Sequence, residues 1–236
     1  MPYQPGLVDA LRKFGLTVVE HPGWKTRGSF GFAPKGVVVH HTAIADNEAS
    51  IRVCIYGRPD LSGPLAHVVL TTDGLCHVIA AGRANHAGSG SWKGLSGNST
   101  VWGIEAVHPG VPSVPWPAVQ VDAMQRCSAA MIWLSNTDES LVCGHKEWAP
   151  SRKIDPITIG MNEFRSMVNN HLKEPTMPPD HAAPAPPVGI TATPSGNGYW
   201  ILLANGDVYG FGDAQYLGKI HEPAAGAWKT YNQSIH

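Results

Sequence analysis

The stretch GVVVHHTA, Gly36 to Ala43, runs three consecutive valines into two adjacent histidines. An apolar β-branched run without polar alternation suits a central strand with both faces covered by other elements. Side chains alternate across a strand, so His40 and His41 point to opposite faces, and at most one of them can share a site with distant partners.

Outward from this strand the chain supplies the cover such a strand needs. Pro5 to Leu16 has the amphipathic pattern of a short helix, followed by a Gly- and Pro-punctuated loop through Lys35. NEASIRVCIYG fits a helix started by Asp46 or Asn47, two residue types favoured at helix N-caps. LAHVVLTTDGLCHVIAAG reads as two strands around Asp73-Gly74, a dipeptide suited to a tight hairpin. HAGSGSWKGLSGNST is too rich in Gly and Ser for regular structure, and it leads into the strand VWGIEAV. PAVQVDAMQRCSAAMIWLSN carries Val121, Met124, Cys127 and Met131 at helical spacing; SLVCGH is a further strand and MNEFRSMVNNHLK a final helix. Strands and helices mix within one segment, which predicts an α/β protein with a central mixed β-sheet flanked by helices.

Between Glu174 and Pro187, EPTMPPDHAAPAPP is a spacer that favours extended polyproline geometry. The predicted organisation is a main domain over residues 1–173, a linker over 174–187 and a small β-rich module over 188–236. In the last, GYWILLANGDVYGFGDAQYLG has two aromatic-rich strands joined by Asn205-Gly206, a strong hairpin signal.

Composition narrows the partners. Seventeen basic and 18 acidic residues give a net charge of -1, so no electrostatic footprint for nucleic acid or anionic membrane exists. The N-terminus lacks the basic start and apolar block of a signal peptide, and no run approaches a membrane span, so a protein folded in the cytoplasm without membrane insertion is expected. Cys54, Cys76, Cys127 and Cys143 form no C-x-x-C pair and read as small buried hydrophobes.

Zinc favours imidazole, carboxylate and thiolate ligands, and a catalytic site keeps three protein ligands and one open position. His40 and His145 each sit at the exit of an apolar strand. With Asp155 delivered by the loop ten residues after His145, they could form a two-histidine, one-carboxylate site; Cys143, two residues before His145, is a conceivable substitute ligand. From spacing alone, a surface loop with solvated polar residues is the better explanation of CGHKEWAPSRKIDP, and the metal site is the weaker one.

VVVHHTA, HAG at His86, VWGIEA at Glu105 and GHKEWAPSRKIDP at His145 together resemble the zinc N-acetylmuramoyl-L-alanine amidases related to peptidoglycan recognition proteins. The resemblance covers about 150 residues and implies that fold, with Zn2+ held by His40, His145 and Asp155. It also implies Lys153 as the cation that stabilises the oxyanion. One branch of the family places a catalytic tyrosine before a strand histidine, where this chain has Ala66 before His67; another uses a glutamate in G-I-E, matched by Glu105. Glu105 is therefore the expected proton carrier. His86, Trp92, Asn98 and Arg152 are the expected substrate contacts.

Such an enzyme would hydrolyse the amide joining muramic acid to the stem peptide of peptidoglycan. Residues 188–220 resemble a repeat found in wall-associated proteins of actinobacteria, present here in one copy, which suggests a module for peptidoglycan or a secondary wall polymer. The whole then resembles a monomeric bacteriophage endolysin, held in the host cytoplasm until another protein opens the membrane and acting afterwards on the wall. Rival readings are a non-catalytic peptidoglycan-binding module of the same fold, an intracellular recycling amidase acting on anhydro-muropeptides, and a zinc peptidase cutting within the stem peptide.

Overall fold

The computed structural model describes residues 3–173, 187–196, 199–204, 206 and 208–211. The chain divides into two compact units, Met1–Leu172 and Lys173–His236.

Helix α1 (Leu7–Lys13) buries Leu7, Val8, Ala10 and Leu11. Strand β1 (Val18–Glu20) follows, where the sequence predicted only loop; it pairs in parallel with a later strand, Val18 opposite Cys76. Next come β2 (Gly36–His41) and α2 (Asn47–Tyr56), the helix being capped by Asp46, whose side chain accepts the Ala49 N–H at 2.7 Å. Two-residue strands β3 (Gly57–Arg58) and β4 (Leu61–Ser62) form a small ribbon. Strands β5 (Val68–Leu70) and β6 (Cys76–Val78) are the expected antiparallel pair, with Gly74 in the turn at φ +84°. The Gly- and Ser-rich segment forms a second ribbon, β7 (Ser91–Trp92) with β8 (Leu95–Ser96), rather than staying irregular. Its turn holds Lys93 and Gly94, both at positive φ, as a two-residue hairpin of the primed type requires.

The remainder follows the predicted order: β9 (Val101–Ala106), α3 (Ala118–Leu134), β10 (Val142–Gly144), the short α4 (His145–Trp148) and α5 (Met161–Lys173). The main sheet runs β1-β6-β5-β9-β2-β10, with all neighbours parallel except β5 and β6. This is the mixed α/β architecture expected from the sequence.

Alternation along the two central strands assigns the layers. Val37, Val39, Trp102, Ile104 and Ala106 face a core shared with α1, α3 and α5, including Met124, Met131, Phe164 and Val168. Ile104 is wholly buried there; replacing it with Ala would cost about 2–5 kcal/mol through lost transfer energy and the cavity left behind. On the opposite face, α2 covers Val69 and Val107 with Ile51, Cys54 and Ile55. Val38, Val101 and Cys143 pack beside them under Trp148 and Trp92. Gln120 joins α3 to the sheet by donating to the carbonyls of Leu70 and Val107 at 3.0 and 2.9 Å.

In the second unit β11 (Pro187–Ala192), β12 (Tyr199–Leu203) and β13 (Val208–Phe211) form an antiparallel sheet of three strands, one more than predicted. Trp200, Leu202 and Val208 are its buried cluster, and Tyr199 is exposed. The side chains of Tyr209 and Phe211, the residues Asn205 and Tyr216, and the proline-rich segment 174–186 lie outside the described residues.

Candidate metal centre and its cavity

The parallel register of β2 and β9 puts His40 opposite Glu105, and β10 lies on the other side of β2, with Gly144 opposite Val39. One residue beyond Gly144, His145 starts α4 next to His40. Glu147 fixes that turn by accepting the Gly144 N–H at 3.0 Å, and Arg165 on α5 grips the same carboxylate at 2.8 and 3.0 Å. Lys146 then delivers Asp155: its N–H donates to the Asp155 carbonyl at 2.7 Å, and its ammonium to the carbonyls of Pro156 and Ile159 at 2.9 and 2.7 Å. Lys146 and Glu147 are positioning residues that the sequence did not single out, because their partners are carbonyls and a helix end.

Three donor atoms converge as a result. His40 Nδ1 lies 2.9 Å from His145 Nδ1, and the two lie 3.2 and 3.0 Å from Asp155 Oδ2. All three residues are buried, and among the described residues this is the one cluster of at least three His, Cys, Asp or Glu side chains so arranged.

The hydrogen bonds of the far ring nitrogens show whether the cluster fits a cation. A neutral imidazole has one N–H. His145 Nε2 faces the Ala87 carbonyl at 2.9 Å, which only accepts, so the proton is on Nε2 and Nδ1 is bare. His86 Nε2 faces the Val101 carbonyl at 3.2 Å, so its Nδ1 accepts; His40 Nε2, 3.0 Å from that Nδ1, therefore donates. His40 Nδ1 is bare as well. Two lone pairs and a carboxylate oxygen thus meet without a proton among them, a repulsive arrangement that a bound cation relieves. The donor set of two imidazoles and one carboxylate is one that zinc accepts.

Electrostatics agree. Burial pushes the His40 imidazole down to about 4, against the opposing pull of the Asp155 carboxylate. Burial alone would raise the Asp155 carboxyl, yet the neighbouring His145 and His40 rings hold it well below the ordinary carboxylate range. The pair is therefore best described as neutral imidazole beside carboxylate, the protonation that metal binding requires.

These residues line a cavity of about 440 Å³ whose wall also includes Glu105, Lys153, Arg58, His86 and Arg152. Glu105 is raised well above the usual carboxylate range, first by burial and then by the Asp155 charge, with Lys153 and Arg58 opposing. Its Oε2 is closed to solvent and has no hydrogen-bond partner. A carboxylate that holds its proton more tightly than usual, beside a cluster of cation-binding atoms, can exchange a proton with a reacting group.

The other expected site residues distribute unevenly. His86 and Arg152 line the cavity, where His86 Nε2 donates to the Val101 carbonyl and Arg152 Nη2 to the Ala87 carbonyl. Trp92 and Asn98 stand outside its wall. Trp92 donates to the Ser140 carbonyl and packs on the Val38 layer, while Asn98 Oδ1 accepts the His86 and Ala87 N–H groups at 3.2 and 2.8 Å. Cys143 is buried in the Val38 layer and takes no part in the cluster, its thiol pushed up by burial. His41 accepts the Ile157 N–H at 3.2 Å and stays out of the cluster, as strand alternation requires.

Residues 31–158 match the Amidase_2 family, described as N-acetylmuramoyl-L-alanine amidase. The chain has no significant match among curated protein sequences. Among solved structures, the N-acetylmuramoyl-L-alanine amidase LysC from Clostridium intestinale URNW superposes with a TM-score of 0.51 at 20% identity, covering 65% of this chain and 97% of that one. The endolysin amidase LysCS from the same organism gives 0.49 at 22% identity, over 65% of this chain and 95% of that one. LysC shares the fold. The family match spans more than half of the chain and contains every residue of the cluster, so the chain belongs to the N-acetylmuramoyl-L-alanine amidase family and is an amide hydrolase of that class.

Proposed function

We propose that this chain is a zinc-dependent amidase that cuts the bond between N-acetylmuramic acid and L-alanine in peptidoglycan, with His40, His145 and Asp155 as metal ligands. The observation that carries the zinc reading is the convergence of three unprotonated donor atoms with Glu105 beside them in one cavity. When bound, zinc supplies Lewis acidity that lowers the pKa of water at its open position to about 7.

The chain's own groups divide the remaining work. Glu105 takes a proton from the attacking water at its carboxylate and returns it to the departing alanine nitrogen; burial, which raises its pKa, favours that exchange. The Lys153 ammonium, on the same cavity wall, offsets the negative charge that grows on the lactyl carbonyl oxygen.

The biological setting we propose is host lysis as a phage endolysin, with residues 1–173 as the catalytic domain, 174–187 as a spacer and 188–236 as a wall-binding module. Support comes from the proline-rich spacer and from the aromatic repeat that follows it. The test is digestion of purified cell walls and identification of the new ends. Free alanine amino groups with intact glycan strands support the proposal; new termini inside the stem peptide would make the chain a peptidase, and new reducing sugars a glycosidase.

A further inference from the structure

The far nitrogens of both imidazoles in the cluster end on one short segment. His40 Nε2 donates to the ring of His86 at 3.0 Å, and His145 Nε2 donates to the carbonyl of the next residue, Ala87, at 2.9 Å. Two candidate ligands, one on strand β2 and one at the start of helix α4, are thus oriented by adjacent residues of a single loop. A loop with that duty must itself be held, because a shift of its backbone would turn both rings at once.

It is held from three sides. Asn98 Oδ1 accepts both the His86 and the Ala87 N–H groups, which fixes the loop from below. Arg152 donates to the Ala87 carbonyl at 2.8 Å and makes two further bonds to the Ser89 carbonyl. The Ala87 oxygen is therefore shared by the Arg152 guanidinium and the His145 ring. Finally, the His86 ring lies flat against Gly103 on β9: a Cβ on Gly103 would come within 2.5 Å of it. That contact explains why the strand VWGIEA carries a glycine on its cavity face, and His86 Nε2 is anchored on the Val101 carbonyl of the same strand.

We propose that Asn85–Ser89 is a strap that sets the tautomer and direction of both metal-binding histidines, and that His86, Asn98 and Arg152 are positioning residues for the metal rather than contacts for the substrate. Both His86 ring nitrogens and the Arg152 Nε and Nη2 groups are engaged within the strap and its neighbours, and Asn98 stands outside the cavity wall. Loss of such outer partners typically weakens metal binding by about 10–100-fold. The inference rests on the zinc reading above.

The test is zinc affinity by chelator competition, with the steady-state constants at saturating zinc measured in parallel. Asn98→Ala and Arg152→Ala should each weaken zinc binding by about 10-fold or more with KM for wall fragments within about twofold of the parent, and Asn98→Asp, which keeps the acceptor oxygen, should restore most of the affinity. Arg152 is exposed, so its variant tests the strap even where an Asn98 change unfolds the chain. The proposal is overturned by zinc affinities at the parent level together with a raised KM, the pattern of substrate contacts. His40→Ala separates the two levels: if it leaves zinc binding intact, the metal reading itself is wrong; if it abolishes binding while Asn98→Ala and Arg152→Ala do nothing, only the strap falls.

Discussion

His40 and Glu105 are register partners on adjacent parallel strands, so an imidazole of the candidate metal cluster and a carboxyl with a raised pKa stand side by side on the same face of the sheet. Strand geometry alone fixes that relationship. It places the proposed proton carrier, Glu105, next to the cluster.

Glu105→Gln keeps the size and polarity of the side chain and removes its proton chemistry. Turnover of wall fragments should fall by about 10²–10⁴-fold, the usual scale for a general acid-base group, while bound zinc per chain stays at the parent level. Near-parent turnover with metal in place would assign the proton transfer to another residue.

Lys153→Ala tests the cation. Removing one stabiliser of a developing oxyanion should lower kcat by about 10²-fold and leave KM nearly unchanged. A rise in KM at constant kcat would make Lys153 a ground-state substrate contact.

Acid should destabilise the zinc-free protein well above the carboxylate range. The unfolded imidazole protonates near 6.5, whereas folded His40 resists until about 4 and folded His67, stacked on Phe32 and edge-on to Trp102, until about 3, both because of burial. The stability tied to their neutral forms is complete above pH 6.5 and is lost as pH falls toward those values, each histidine contributing about 1.4 kcal/mol per pH unit. Glu105 has the opposite sign, since its raised pKa favours the protonated fold at lower pH, and it moderates the loss. Thermal unfolding with chelator between pH 7.5 and 4.5 should show a falling Tm, and a flat profile would mean that these rings are solvated.

Much of this arrangement is legible in the sequence, for definable reasons. The unbroken VVV run announces a strand covered on both faces, and strand alternation by itself separates His40 from His41. Helices α2 and α3 follow from a cap and from apolar spacing. Strand β1 escapes because three edge residues, two of them exposed, carry too short a pattern, and the β7-β8 ribbon because Gly and Ser read as loop. The duties of Lys146, Asn98 and Arg152 escape for another reason: each bonds to backbone groups of a loop, and loop paths are not encoded in residue types alone. Residue type identified the metal-binding candidates; only the fold revealed what aims them.

Equilibrium zinc binding to the purified chain, followed by calorimetry at neutral pH, bears most directly on whether a cation belongs between His40, His145 and Asp155. One zinc per chain should bind, with His40→Ala, His145→Ala and Asp155→Ala each abolishing or weakening it by at least about 100-fold. A chain that binds no zinc, or whose zinc affinity survives all three substitutions, would contradict the assignment.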